Sequence, residues 1–176
     1  TGVGILYGKE ELLNKLSPWH GGGEMIDEVS FEKTTYGELP HKFEPGTPNI
    51  AGVIAFGAAI EYMDDIGIDN IQAHEDKLLK YCTQKLKEIE GLKIYGEAKN
   101  KIAVISFNVK GIHHYDLGSL LDQFGVAVRI GHHCAQPVMN YFKIPGTVRI
   151  SFSFYNTKEE IDLMIKALKR AITMLQ

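Results

Sequence analysis

The run Arg129-Ile130-Gly131-His132-His133-Cys134-Ala135-Gln136-Pro137 gathers a cation, two imidazoles and a thiol where a β-branched stretch gives way to a loop. Neighbouring positive charge favours the reactive thiolate form of a cysteine, so Cys134 is a candidate nucleophile. The same residues are also metal-ligand types, with His113 and His114 as further donors. Against that reading, adjacent side chains diverge along an extended chain, and neither a CxxC nor an HxxxH spacing occurs. A structural Cys134 is the third possibility.

Two further segments could bind anions. In Gly146-Thr147-Val148-Arg149-Ile150-Ser151-Phe152 a single arginine interrupts an apolar strand-like run. An unpaired buried guanidinium is costly, so Arg149 either meets a carboxylate of the protein or enters a pocket that receives one. Glu44-Pro45-Gly46-Thr47-Pro48-Asn49 leads into an apolar run, with Thr47 placed to cap a helix and Pro48 at its first position. Free N–H groups at such an end attract phosphate, although most Thr-Pro starts are caps and nothing else. The triple glycine at 21–23 reads by default as a flexible turn.

The elements that must position these residues alternate. A strand-like opening, Gly2 to Tyr7, precedes a short helix from Lys9 to Leu16. No clear periodicity covers 24–46. The helix from Thr47 is apolar on most sides as far as Ile60, which predicts burial between layers, and Gly67 ends it. A helix over about 69–89 follows, with Ile71, Leu78, Leu79, Cys82, Leu86 and Ile89 on one face. Cys82 in that stripe reads as a small buried hydrophobe rather than a second nucleophile. Strands are expected over 92–95, 102–109, 126–130 and 148–154, and a helix around 115–124. A last helix is capped by Thr157 with Glu160 completing a capping box. From about residue 66 onward the pattern is a small α/β layer.

Composition agrees. The 176 residues are 44% hydrophobic and 23% charged, an ordinary folded chain of one domain and a fraction. A net charge of −3 without a basic tract argues against nucleic acid as partner, and no apolar run reaches the roughly 18 residues of a membrane span. Two distant cysteines make no disulfide framework, which fits a reducing, cytoplasmic compartment. The opening apolar run, without a leading Met or signal peptide, reads as a start within a longer protein.

Taken in order, Thr1-Gly2-Val3-Gly4-Ile5-Leu6-Tyr7-Gly8-Lys9, the Phe43 to Asn49 run, Arg129 to Pro137, Thr147 to Ser151 and Tyr155-Asn156-Thr157 resemble the class II, SufS- and CsdA-like cysteine desulfurases over essentially the whole chain. The Gly-His-His-Cys loop separates this class from the IscS- and NifS-like one. The resemblance implies an α/β protein. It would comprise the small C-terminal domain (66–176) of a fold-type-I, aspartate-aminotransferase-type enzyme, preceded by the tail (1–65) of its large pyridoxal 5′-phosphate-binding domain. It also implies conversion of L-cysteine to L-alanine with a persulfide on Cys134, in a cytoplasmic homodimer. That dimer would pass sulfur through a SufE- or SufU-type acceptor to iron–sulfur cluster assembly. Arg149 would hold the substrate carboxylate, Arg129 would be a second substrate-binding arginine, and Thr47 would reach the cofactor phosphate of the neighbouring subunit.

Two departures stand out. The family's Schiff-base lysine lies just upstream of the segment matched by Thr1, so this chain alone is expected to be inactive, and Lys9 matches an ordinary surface position. His20 replaces the glutamate common before the glycines. The rival readings are a selenocysteine lyase on the same scaffold, a non-catalytic docking module for a sulfur acceptor, and a metal site at Cys134.

Overall fold

A computed structural model describes residues 2–176, and the chain divides into two compact units, one ending at Asp65 and the other Ile66–Gln176. The first contains α1 (Glu10–Lys15), the antiparallel pair β1 (Ile26–Val29) and β2 (Thr34–Tyr36), a 3₁₀ turn (His41–Phe43), and α2 (Ile50–Ile66), whose last residue crosses the boundary. Residues 2–9 are irregular, so the strand expected at Gly2–Tyr7 does not form. A strand needs a partner for its N–H and C=O groups, and none of the described strands pairs with this segment. Thr1 lies outside the described residues.

Two expectations about α2 are corrected. The cap is Asn49, not Thr47: the Asn49 Oδ1 accepts from the Gly52 N–H at 3.0 Å, while Thr47 sits two residues earlier in an exposed bend. Asparagine is as good a cap as threonine, and the helix begins directly after it. The helix is also not buried. None of its residues is buried, and Ile54 is 69% exposed. An apolar helix needs facing side chains to cover it, and the first unit contributes one fully buried hydrophobe, Met25.

The second unit has a closed core. It runs α3 (Ile68–Lys87), β3 (Leu92–Tyr95), β4 (Val104–Val109), α4 (His114–Gln123), β5 (Arg129–Gly131), α5 (Gln136–Phe142), β6 (Thr147–Ser151) and α6 (Lys158–Leu175). The sheet order is β3-β4-β6-β5, every neighbour antiparallel. Strand β4 alternates strictly, burying Ile105, Phe107 and Val109. Register sets Ile105 opposite Ile150, and Phe107 and Ile130 both opposite Val148, which makes one apolar face. Leu78, Cys82 and Leu86 of α3, Leu117 and Leu121 of α4, and Ile161, Met164, Ile165 and Leu168 of α6 join it in a single core. The capping box at α6 forms as expected: Thr157 Oγ1 accepts from the Glu160 N–H, and the Glu160 carboxylate accepts from the Thr157 N–H at 2.9 Å. The seven-residue α5, directly after the Cys134 loop, has no counterpart among the expected elements.

Candidate active site

The opposite face of the same sheet is polar, as period-two alternation requires. Along it lie Ser106 and Asn108 of β4, Thr147 and Arg149 of β6, and Arg129 of β5. Arg149 is in register with Ser106 on one side and Arg129 on the other. Two cations directly opposite each other on one face repel, and an anion between them relieves the repulsion. The Arg149 Nε is moreover buried without a hydrogen-bond partner. Of the two fates the sequence left open for Arg149, a carboxylate partner within the protein is not found among the described ion pairs.

Gly131 ends β5 at φ +106°, and the chain then turns sharply. Ala135 N–H donates to the His132 carbonyl at 2.9 Å, closing a four-residue turn whose central residues, His133 and Cys134, have φ of +56° and +57°. Left-handed backbone in a residue with a Cβ costs on the order of 1–3 kcal/mol, and here two such residues are adjacent. Three contacts hold the turn. The Cys134 N–H donates to His132 Nδ1 at 3.2 Å, the Arg129 guanidinium lies 3.6 Å from the Cys134 Sγ, and the His133 Nε2 is 2.8 Å from the Thr147 Oγ1. The result presents an exposed thiol beside one of the two paired arginines.

Close backbone approach makes the turn possible. A Cβ on Gly146 would lie 2.6 Å from His114 Nε2 and 2.8 Å from the Gly131 backbone, and one on Gly118 would overlap Ile130 Cγ2. Both positions must therefore be glycine for β5 to sit between α4 and β6. Burial, then the cations Arg149 and Arg129, hold the His133 imidazole below its ordinary pKa, and burial followed by the neighbouring His113 does the same to His114. His133 is thus a neutral hydrogen-bonding group at neutral pH.

Cys134, Arg129 and Arg149 are brought together in the second unit, and Thr47 belongs to the first. Among the described residues no three His, Cys, Asp or Glu side chains gather as a metal-ligand set. Cys82 is fully buried, and burial pushes its thiol up to about 12. The sequence points to no task for Thr147 and offers His133 only as a metal-ligand type. The available signal was Thr147 two residues before Arg149, which puts both on one strand face. A groove of about 1280 Å³ lies elsewhere, between α3 and the β3–β4 connection. The Lys87–Glu97 ion pair lines it, and no candidate nucleophile does.

Residues 1–164 match the model of the aminotransferase class-V family, and the chain belongs to that family. It is similar to the cysteine desulfurase of Wigglesworthia glossinidia brevipalpis, with 49% identity over all of this chain and 43% of that protein. Among solved structures it resembles the cysteine desulfurase CsdA of Escherichia coli, with TM-score 0.90 and 39% identity over 97% of this chain and 42% of that one. The cysteine desulfurase of Thermococcus onnurineus NA1 is comparably similar, with TM-score 0.89 and 40% identity over 96% and 42%. The chain therefore spans less than half the length of these relatives.

Proposed function

We propose that the protein carrying this chain is a SufS-like, pyridoxal 5′-phosphate-dependent cysteine desulfurase that converts L-cysteine to L-alanine and holds the sulfur as a persulfide. In this reading residues 66–176 are its small domain, and 1–65 are the tail of the large one. The observation that carries the proposal is the thiol of Cys134, presented on a left-handed turn beside Arg129, with Arg149 directly across the ladder.

The residues present fit the substrate side of such a cofactor. The unpartnered Arg149 Nε and its fork of donors suit the α-carboxylate of L-cysteine, and Arg129 adds a second cation. Cys134 Sγ attacks the substrate sulfur: an S–S bond forms, the substrate C–S bond breaks, and the carbon released takes up a proton to become the alanine methyl. Pyridoxal phosphate, when bound, supplies the electron sink for that carbon chemistry. On the cofactor side this chain offers Thr47, whose exposed hydroxyl would donate to the phosphate across a homodimer. An acceptor protein of SufE or SufU type would take the sulfur onward to iron–sulfur cluster assembly in the cytoplasm.

The test is alanine release from L-cysteine and from L-selenocysteine by the full-length protein and its Cys134→Ala variant. Loss of turnover on cysteine is expected. Desulfuration that survives the substitution overturns the persulfide reading.

A further inference from the structure

The Cys134 turn carries two adjacent left-handed residues and is followed by the short helix α5, so something must hold it in this unfavourable backbone. The turn's own bonds, Ala135 N–H to the His132 carbonyl and Cys134 N–H to His132 Nδ1, are local and would move with it. The Arg129 guanidinium reaches the Cys134 Sγ from β5 at 3.6 Å, but through an exposed, flexible side chain. Among the described residues, one side-chain hydrogen bond joins the turn to a buried side chain of the sheet: His133 Nε2 to Thr147 Oγ1 at 2.8 Å. Thr147 is 1% exposed, begins the interior strand β6 and lies on the same strand face as Arg149.

We propose that His133 is a positioning residue: through Thr147 it clips the Cys134 turn to β6, so that the thiol and the Arg149 guanidinium are held by one strand at a fixed separation. The clip works with a neutral ring, since a third positive charge would face Arg149 and Arg129. Burial and those two cations hold the ring in that state. Fixed separation matters because a nucleophile and the group that orients its substrate lose rate steeply when either drifts. The catalytic part of this inference rests on Cys134 being the sulfur acceptor. The structural part does not.

The experiment uses the full-length protein with Thr147→Val, which keeps the shape and removes the hydroxyl, Thr147→Ser, which keeps the hydroxyl, and His133→Ala. Amide hydrogen exchange over residues 132–136 reads the clip without reference to turnover. Exchange about fivefold faster is expected in Thr147→Val and in His133→Ala, no faster in the double variant than in either single one, and normal in Thr147→Ser. In steady state kcat should fall roughly tenfold in the first two, with KM for cysteine little changed and recovery in Thr147→Ser. A structural role without positioning would not move kcat in this pattern. Wild-type exchange in Thr147→Val, or additive effects in the double variant, would overturn the clip. Accelerated exchange with full cysteine turnover in Cys134→Ala would instead leave the clip standing and remove the persulfide reading.

Discussion

Cys82 and Cys134 belong to the same compact unit and to opposite surroundings. Cys82 lies at 0% exposure on the core face of α3, where Leu78, Leu86 and Leu168 share its cluster and burial raises its thiol to about 12. Cys134 stands exposed on a left-handed turn with Arg129 beside it and a positively charged strand face behind. Sulfur in the first setting is packing material, and sulfur in the second is available for chemistry. Covering a thiol with apolar atoms takes away both access and the charged form. Using it requires the chain to hold a strained turn against a polar sheet face.

The largest expected effect follows directly. Iodoacetamide should label Cys134 in the native protein at least on the order of a thousandfold faster than Cys82, whose labelling must await opening of the core. Peptide mass spectrometry resolves the two sites, and denaturant should bring their rates together. Comparable native rates would break the contrast. In the full-length protein the proposed desulfuration extends the same order: Cys134→Ala should abolish alanine formation from cysteine, while Cys82→Ala should leave it within about twofold and instead cost ~1–2 kcal/mol of stability.

Carried from the cysteines to the elements around them, the contrast becomes one between covered and uncovered helices. Leu168 of α6 is fully buried, and Leu168→Ala should cost about 2–5 kcal/mol in urea unfolding of this chain. Ile54 of α2 is 69% exposed, and Ile54→Ala should change the same midpoint by less than about 0.5 kcal/mol. Equal losses would mean that α2 is covered after all.

The covered region is also the part that was legible in the sequence. The stripe of Ile71, Leu78, Leu79, Cys82 and Leu86 has helical period because the core selects it, and alternation in β4 is legible for the same reason. Arg129, Cys134 and Arg149 were identified by type, since a cation in an apolar strand and a thiol among imidazoles are each unusual. Their arrangement was not legible: antiparallel register, which sets Arg129 against Arg149, is fixed between segments distant in sequence. Nor was the left-handed pair at His133 and Cys134, because glycine is the usual sequence signal for positive φ and neither residue is one. The β1–β2 pair escaped because β1 is exposed along its whole length, so no alternation marks it. For α2, apolar composition predicted burial, but composition cannot name the surface that does the burying.

A smaller effect separates the capped start of α6 from the Cys134 turn. Thr157→Ala removes the hydroxyl that accepts from the Glu160 N–H and should cost ~1 kcal/mol of stability, leaving the Cys134 labelling rate unchanged. A change in labelling would mean that the start of α6 and the turn are coupled.

The smallest effect is a pH dependence that runs in opposite directions on the two sides. His133 and His114 have folded-state pKa values below the ordinary ~6.5, so the unfolded chain binds more protons, and stability is lost as pH falls below that value. The groups facing His133 are Arg149, Arg129, Thr147 and His114, and those facing His114 include His113 and Asp116, the last opposing the shift. Glu160 and Glu97 are also held below their ordinary values, but they act only near the carboxylate range of about 4.3, which leaves pH 5–6.5 to the histidines. Cys82 has the reverse sign. Its raised value stabilises the fold fully below the free-thiol pKa of about 8.5, and that contribution is lost as pH climbs toward 12. Urea midpoints measured from pH 5 to 10 should therefore fall at both ends. His133→Gln should make the acid limb shallower, leaving the share of His114, and Cys82→Ala should do the same to the alkaline limb; a single variant that changed both would show that the turn and the core do not titrate independently.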